Sequence, residues 1–292
     1  MTRPGGTADP RRSLLPRCSF PPVGTPVTCA VSGGPDSLAL LALAAVDHPV
    51  HAVHVDHRLR AASAGEADVV GAAAARFGAT WETVVVEVPA GPNLEARARA
   101  ARYAVLPAQA LTGHTADDQA ETILLALLRG AGLSGLGGFH PARRPLRGLR
   151  RTETHGLCAA LGLDAVHDES NDDPRFRRNR VRHELLPLLD AIAERDVAAV
   201  LARQGDLLRD DAELLDALAL EVDPTDAASL AAAPVALARR AVRRWLTTGE
   251  EQHPPDAASV ERVLGVARGE AVACEVVGGR SVRRSRGRLS LR

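Results

Sequence analysis

The chain has 292 residues, 46% of them hydrophobic but only 2% aromatic, and its formal net charge is zero. That length exceeds one comfortable core and predicts two domains packed with Ala, Leu and Val. No apolar run reaches membrane-spanning length, and Cys18, Cys29, Cys158 and Cys274 lie far apart, which argues against a membrane span and against a CxxC-type zinc, iron–sulfur or disulfide framework. The sequence contains no Lys, so every basic group that meets a phosphate is a guanidinium able to bind two oxygens at once.

Residues 1–25 are rich in Pro, Gly and Arg, lack a signal-peptide core and read as a flexible leader on a cytoplasmic protein. Pro26–Val31 is a short β-branched run ahead of a Gly-rich turn, which predicts a buried strand. Helix is then expected over 36–46, strand over 50–55, helix over 63–77, strand over 81–88, helix over 93–106, strand over 108–112 and helix over 116–128. Strand and helix alternate with short connections. The pattern predicts an α/β fold with an open, doubly wound parallel sheet, whose ligands bind at the carboxyl ends of the strands.

Beyond Gly130 the pattern loosens. Further helices are expected over 152–161, 181–209 with an interruption near Pro187, 212–219, 230–246 and 257–267, and a terminal hairpin over 272–291. The expected division is a catalytic domain over 26–200 and a smaller, mainly helical C-terminal domain over 201–292. Arg residues cluster at 143–151, at 175–182 and at 280–292, where each group is either a solvated face or a polyanion contact.

The most informative segment is Ser32-Gly33-Gly34-Pro35-Asp36-Ser37, between a strand and a helix. Glycines let backbone N–H groups approach a phosphate, and the helix N-terminus adds partial positive charge. Asp36 repels bare phosphate but suits a Mg²⁺ held between carboxylate and phosphates. The loop lacks the Lys of a Walker A motif. A plain capped Gly turn is the simpler reading, and six fitting residues in this context outweigh it. The segment resembles the SGGxDS signature of the PP-loop ATP pyrophosphatases.

Four further blocks extend the resemblance and narrow it to the tRNA(Ile)-lysidine synthetases. They are His54-Val-Asp-His57-Arg58-Leu-Arg60, Asn93-Leu-Glu95 through Arg99 to Arg102-Tyr103, Gly113-His114 through Asp117-Asp118-Gln119 to Glu121-Thr122, and Arg144-Pro-Leu146 with the tract from His167 to Pro187. The sequence departs from the family pattern in three places: Arg58 stands where the family often has Gly, Arg147 where it has Leu, and the tract before Arg144 is shorter than usual. On a helix, His114, Asp118 and Thr122 would share one face, with Asp117 and Glu121 as a neighbouring pair.

The resemblance implies a PP-loop, adenine-nucleotide α-hydrolase-like fold and a C-terminal tRNA-binding domain. It implies a ligase that joins free L-lysine to carbon 2 of the wobble cytidine in tRNA(Ile) with a CAU anticodon, forming lysidine through an adenylated cytidine. ATP and Mg²⁺ are the implied cofactors, with nucleotide contacts at Ser32, Gly33, Gly34, Pro35, Asp36, Ser37, His54, His57 and Gly113. Metal contacts fall to Asp36, Asp117 and Asp118. Catalytic roles fall to Asp36, His114, Asp117, Asp118, Arg99, Arg178 and Arg182; His114, Asp117 and Asp118 are unranked as general base. Oligomeric state stays open between monomer and homodimer. The alternatives are a tRNA thiolase, disfavoured by the scattered cysteines; an amide-forming PP-loop ligase; and a non-catalytic adenine-nucleotide sensor, disfavoured by Asp36, Asp117 and Asp118.

Overall fold

The computed structural model describes residues 9–58, 63–89, 91, 94–167, 172–247 and 255–292, with the side chains of 63–64, 94–96 and 277 outside the description. Arg60, Asn93, the Glu95 side chain and residues 168–171 of the expected motifs therefore lie outside it. The chain divides into two compact units, Met1–Asp206 and Leu207–Arg292, so the division falls six residues beyond the expected one.

The first unit begins with α1 (Pro10–Leu14), capped by the Asp9 carboxylate. Part of the segment expected as a leader thus carries a short helix. Leu14, Leu15, Cys18 and Phe20 pack onto the main core, and Arg17 donates to Glu153 and to the Gly148 carbonyl. Four apolar side chains scattered among Pro and Arg give no periodic signal, so their burial is not legible locally.

Four parallel strands follow in the spatial order β3-β2-β1-β4, comprising β1 (Val27–Ala30), β2 (Val50–Asp56), β3 (Thr80–Val85) and β4 (Leu111–Thr112). The connecting helices are α2 (Pro35–Asp47), α3 (Ser63–Arg76) and α4 (Leu94–Val105); α5 (Ala116–Leu128) follows β4. The chain steps outward from β1 to β3 and then crosses back to place β4 on the other side of β1. The strand order therefore reverses between β1 and β4, where an open α/β sheet leaves its ligand crevice. Leu38, Leu40, Leu41 and Leu43 of α2 are fully buried against this sheet and anchor the helix whose first turn enters the crevice.

A short turn α6 (Leu133–Leu136), two 3₁₀ turns (Pro141–Arg143 and Pro145–Gly148) and α7 (Arg151–Ala160) come next. Then α8 (Arg177–Arg180) runs through a π-turn (Val181–Leu185) into α9 (Leu186–Ala193), and α10 (Val197–Leu218) follows. Pro187 does not interrupt the helix as expected. It sits in the first turn of α9, directly after the π-turn, where a missing N–H is tolerated. The break falls instead at Glu194, in the left-handed conformation at φ 52°.

The second unit contains α11 (Ala227–Ala232), α12 (Val235–Leu246) and α13 (Ala257–Arg268) around a core that includes Leu230, Val242, Leu246, Val263, Leu264 and Val282. The single helix expected over 230–246 is split by Pro234. The expected hairpin is a three-stranded antiparallel sheet of β5 (Ala273–Val276), β6 (Arg280–Ser285) and β7 (Arg288–Leu291). Arg286 and Gly287 both take positive φ, 48° and 78°, the pairing a tight two-residue hairpin turn needs. An Arg-Gly pair is a weaker turn signal than Asn-Gly, so the third strand is not legible from the sequence.

Candidate active site

The loop after β1 reaches the crevice first. Gly33 adopts φ +83°, a conformation that costs glycine nothing, and its carbonyl accepts from the Val166 amide at 2.9 Å. Pro35 fixes the first turn of α2 with Gly34 at the cap, and the Gly34 carbonyl accepts from the Ser37 and Leu38 amides. The Ser37 hydroxyl donates to the Gly34 carbonyl at 2.8 Å and accepts from the Ser32 amide at 3.1 Å, which closes the loop on itself.

Asp36 projects from this turn. One carboxylate oxygen accepts from Thr154, and the other lies 3.5 Å from Arg151 Nε. Burial, reinforced by the charge of Asp118, pushes its carboxyl up to about 6, against the opposing pull of Thr154 and Arg151.

The β4–α5 loop forms the opposite wall. A Cβ on Gly113 would lie 2.5 Å from the Asp36 carbonyl oxygen, so only glycine lets the two loops touch. His114 precedes the helix and does not share a helical face with Asp118, because the cap is Thr115. The Thr112 hydroxyl donates to the Arg143 carbonyl at 3.2 Å and lies 2.8 Å from His114 Nδ1. Its proton is thus committed, so His114 carries hydrogen on Nδ1 and leaves Nε2 as an acceptor. Burial, followed by the charges of Arg144, Arg99 and Arg178 working against Asp118, holds this imidazole down at about 3, uncharged at neutral pH.

Asp118 closes a capping box, accepting from the Thr115 amide at 2.9 Å and hydroxyl at 3.0 Å. Its other oxygen accepts from Arg151 and Arg178, both at 2.9 Å. Glu121, fully buried, accepts from Arg151 at 3.0 Å and from Arg178 and Arg182 at 2.7 Å. Burial resists ionisation of Asp118, yet Arg151 and Arg178 outweigh it and hold the carboxyl far below the usual range. Glu121 therefore pairs spatially with Asp118, not with Asp117 as the helical spacing suggested.

Asp117 turns away. Arg150 grips both its oxygens at 2.9 and 3.0 Å, and the Arg151 amide donates to one of them at 2.7 Å. The structure thus gathers Asp36, His114, Asp118, Arg178 and Arg182 around one crevice and leaves Asp117 as a bracket for α7. Arg151 and Thr154, the residues that join Asp36 to Asp118, were not singled out from sequence. Arg151 lay inside a run of arginines with nothing local to distinguish it.

The departure at Arg147 also has a physical basis. Where the family has Leu, this half-buried guanidinium pairs with Asp206. Leu146 and Leu149 on either side fill the core as the motif leads one to expect.

At the end of β2, buried His54 places Nδ1 3.0 Å from the Val31 carbonyl, which assigns the proton to Nδ1. His54 Nε2 and His57 Nδ1 are both buried with no hydrogen-bond partner. Burial, then the Arg102 charge, keeps His57 below its usual value. Such unsatisfied atoms beside a phosphate-type loop suit the edges of a purine base.

The donor set accommodates Mg²⁺ at Asp36 but not at Asp117, whose oxygens are taken. Among the described residues no group of three or more His, Cys, Asp or Glu could hold a metal unaided. Mg²⁺ commonly binds through one or two carboxylates plus substrate phosphates, so a complete protein cage is not required.

Two family models match the chain, a PP-loop domain over residues 20–189 and a TilS substrate binding domain over 226–290. Relatives extend across both. A tRNA(Ile)-lysidine synthase of Nocardia farcinica is 42% identical over 94% of this chain and 93% of its own length. The chain belongs to the tRNA(Ile)-lysidine synthase family. Other members include those of Rhodococcus opacus, 41% identical over 91% of this chain and 89% of its own length, and Mycolicibacterium paratuberculosis, 46% identical over 75% and 74%.

As a member of this ligase family the chain is an enzyme, and its PP-loop domain makes it an ATP-binding one. Among solved structures, the U34-tRNA thiolase NcsA of Methanococcus maripaludis matches with a TM-score of 0.57 at 16% identity, covering 69% of this chain and 78% of that one. That likeness supports the fold alone. Among the described residues no helix is long and apolar enough to cross a membrane.

Proposed function

We propose that this lysidine synthase family member activates the wobble cytidine of tRNA(Ile) with a CAU anticodon, using ATP, and joins it to free L-lysine. The observation that carries the reading is the meeting of Asp36, on the Ser32–Ser37 loop, with the β4–α5 loop at the point where strand order reverses. In this reading the loop and the start of α2 hold the leaving pyrophosphate. His54 and His57 border the adenine, the former with Nε2 as an acceptor for an exocyclic amine.

Mg²⁺, held by Asp36 and the phosphates, would neutralise charge as the α–β bond breaks. The cytosine oxygen at carbon 2 attacks the α-phosphate and pyrophosphate leaves. The lysine ε-amine then attacks carbon 2, the carbon–oxygen bond breaks and AMP departs.

Of the candidate bases, His114 is the one we favour. Asp117 and Asp118 are tied to guanidiniums and depressed, whereas His114 presents an unprotonated Nε2. That nitrogen can take the second proton, the one released from the amine as the new C–N bond forms. The lysine ε-ammonium gives up one proton to water before attack, and Asp118 orients the resulting amine by accepting from its N–H. Arg178 and Arg182, already neutralised by Glu121, position that carboxylate wall, and Arg99 is left to meet phosphate charge. The second unit, with its Arg-rich β6 and β7, holds the RNA largely through backbone contacts.

The test is ATP–pyrophosphate exchange without lysine, with tRNA(Ile) bearing CAU, with tRNA(Met) or with no RNA. Exchange that depends on tRNA(Ile), followed by lysine incorporation, is the expected result. Exchange supported by a small acid or amide without RNA would overturn the reading.

A further inference from the structure

Beyond the crevice, α4 and the first 3₁₀ turn bring four arginines around one tyrosine. The guanidinium carbons of Arg99, Arg143 and Arg102 lie 5.1, 5.2 and 6.0 Å from the Tyr103 ring centroid. Arg144 stands 4.5 Å over Phe139, whose ring is 4.9 Å from that of His114. The Tyr103 hydroxyl accepts from Arg99 at 3.5 Å. Arg143 donates to the Ala108 carbonyl at 2.5 Å and Arg144 to the His140 carbonyl at 2.7 Å. These contacts hold the planes in place through ring faces and neutral carbonyls, and none cancels a charge.

Among the described residues no carboxylate forms an ion pair with any of the four. The Nε atoms of Arg102 and Arg144 are buried without a hydrogen-bond partner. Burial first, then the charge of Arg99, holds both below their ordinary values. A half-buried set of four like charges with unused donors is costly unless an anion completes it.

We propose that Arg99, Arg102, Arg143 and Arg144 around Tyr103 form a second phosphate site, distinct from the Ser32–Ser37 loop and adjoining His114. Forked guanidiniums held against aromatic faces match phosphate oxygens in pairs. The inference rests on the proposed function for its two sources of phosphate, the RNA backbone flanking the reacting cytidine and the terminal phosphates of ATP.

The experiment uses the full chain and the variants R102Q, R144Q and R102Q/R144Q. Ligand-free stability is measured by denaturation. Affinity is then measured for ATP, for inorganic pyrophosphate and, across a salt series, for a tRNA(Ile) transcript with CAU. The double variant is expected to be as stable as the parent or more so, and to lose about ten-fold or more in affinity for one phosphate carrier. An RNA source weakens the transcript and flattens its salt slope by about one to two, with ATP unchanged. An ATP source weakens ATP and pyrophosphate and leaves the salt slope alone. Unchanged affinity for all three probes overturns the proposal, whether or not stability falls. Absence of tRNA-dependent exchange in the parent protein would instead sink the lysidine reading and leave these titrations interpretable.

Discussion

Two groups of arginines flank His114 and differ in what neutralises them. Arg151, Arg178 and Arg182 converge on Glu121 and Asp118, with Asp36 beside Arg151, so that three positive charges meet three carboxylates. Arg99, Arg102, Arg143 and Arg144 surround Tyr103 with no carboxylate in an ion pair among the described residues. The residue type is the same and the burial is comparable. The first group is complete as folded and acts as a rigid wall. The second has donors left over and waits for charge from outside. Counter-charge, not the presence of arginine, separates a scaffold from a binding surface.

The sharpest way to break this contrast is Glu121→Gln. Glu121 is fully buried and three guanidiniums depend on it, so the variant is expected to lose about 3–5 kcal/mol in urea denaturation, as a buried pair stripped of one partner does. A loss below about 1 kcal/mol would mean that water already screens the network and that the wall is not a wall.

Asp36→Asn comes next in size. It removes the carboxylate at the loop end while leaving the fold of α2 intact, and pyrophosphate exchange should fall roughly 10²–10³-fold. ATP binding is expected to persist, as seen by equilibrium titration. Full exchange in this variant would contradict a metal-holding role for Asp36 while leaving the enzyme reading in place.

Gly113→Ala probes whether the two loops truly touch. The added Cβ would press on the Asp36 carbonyl, and the relief costs about 1–3 kcal/mol, with weakened ATP binding. The same replacement at Gly130, where nothing lies within 4 Å but φ is +74°, should cost stability through backbone strain and leave ATP affinity untouched.

The pH response follows from Asp36. Its carboxyl is raised to about 6, so its folding contribution is greatest when protonated and is lost as pH rises from about 4 through 6. Activity runs the other way, since Mg²⁺ needs the ionised form. Exchange at limiting Mg²⁺ should fall about ten-fold per pH unit below 6, and saturating Mg²⁺ should move that inflection downward. An inflection that ignores Mg²⁺ concentration would assign it to another group.

The first three strands were legible because each is a short run rich in β-branched residues closed by a turn signal, and the Ser32–Ser37 loop because glycine, proline and acid occur together between strand and helix. The crevice was half legible. Asp36, His114 and Asp118 carry their own signal, but Arg151 and Thr154 gain meaning only from partners more than a hundred residues away in the case of Thr154 and Asp36. Helical spacing also misled at α5, pairing Glu121 with Asp117, because it could not register that Arg150 draws Asp117 toward α7. Long-range charge pairing is what local pattern cannot encode.

The smallest predicted effect is at the end of β2. Arg58 takes φ 49°, the left-handed region that the glycine common in the family enters freely, and its amide donates to Asp56 at 2.8 Å. Arg58→Gly removes a side-chain clash of about 1 kcal/mol against a comparable gain in unfolded-chain entropy, so stability should rise by no more than about 1 kcal/mol. If the exposed guanidinium serves no ligand, affinity for the tRNA transcript stays level. A shallower salt slope in R58G would instead extend the charge-deficient surface from Tyr103 to the end of β2, and with it the contrast to the neutral wall across the crevice.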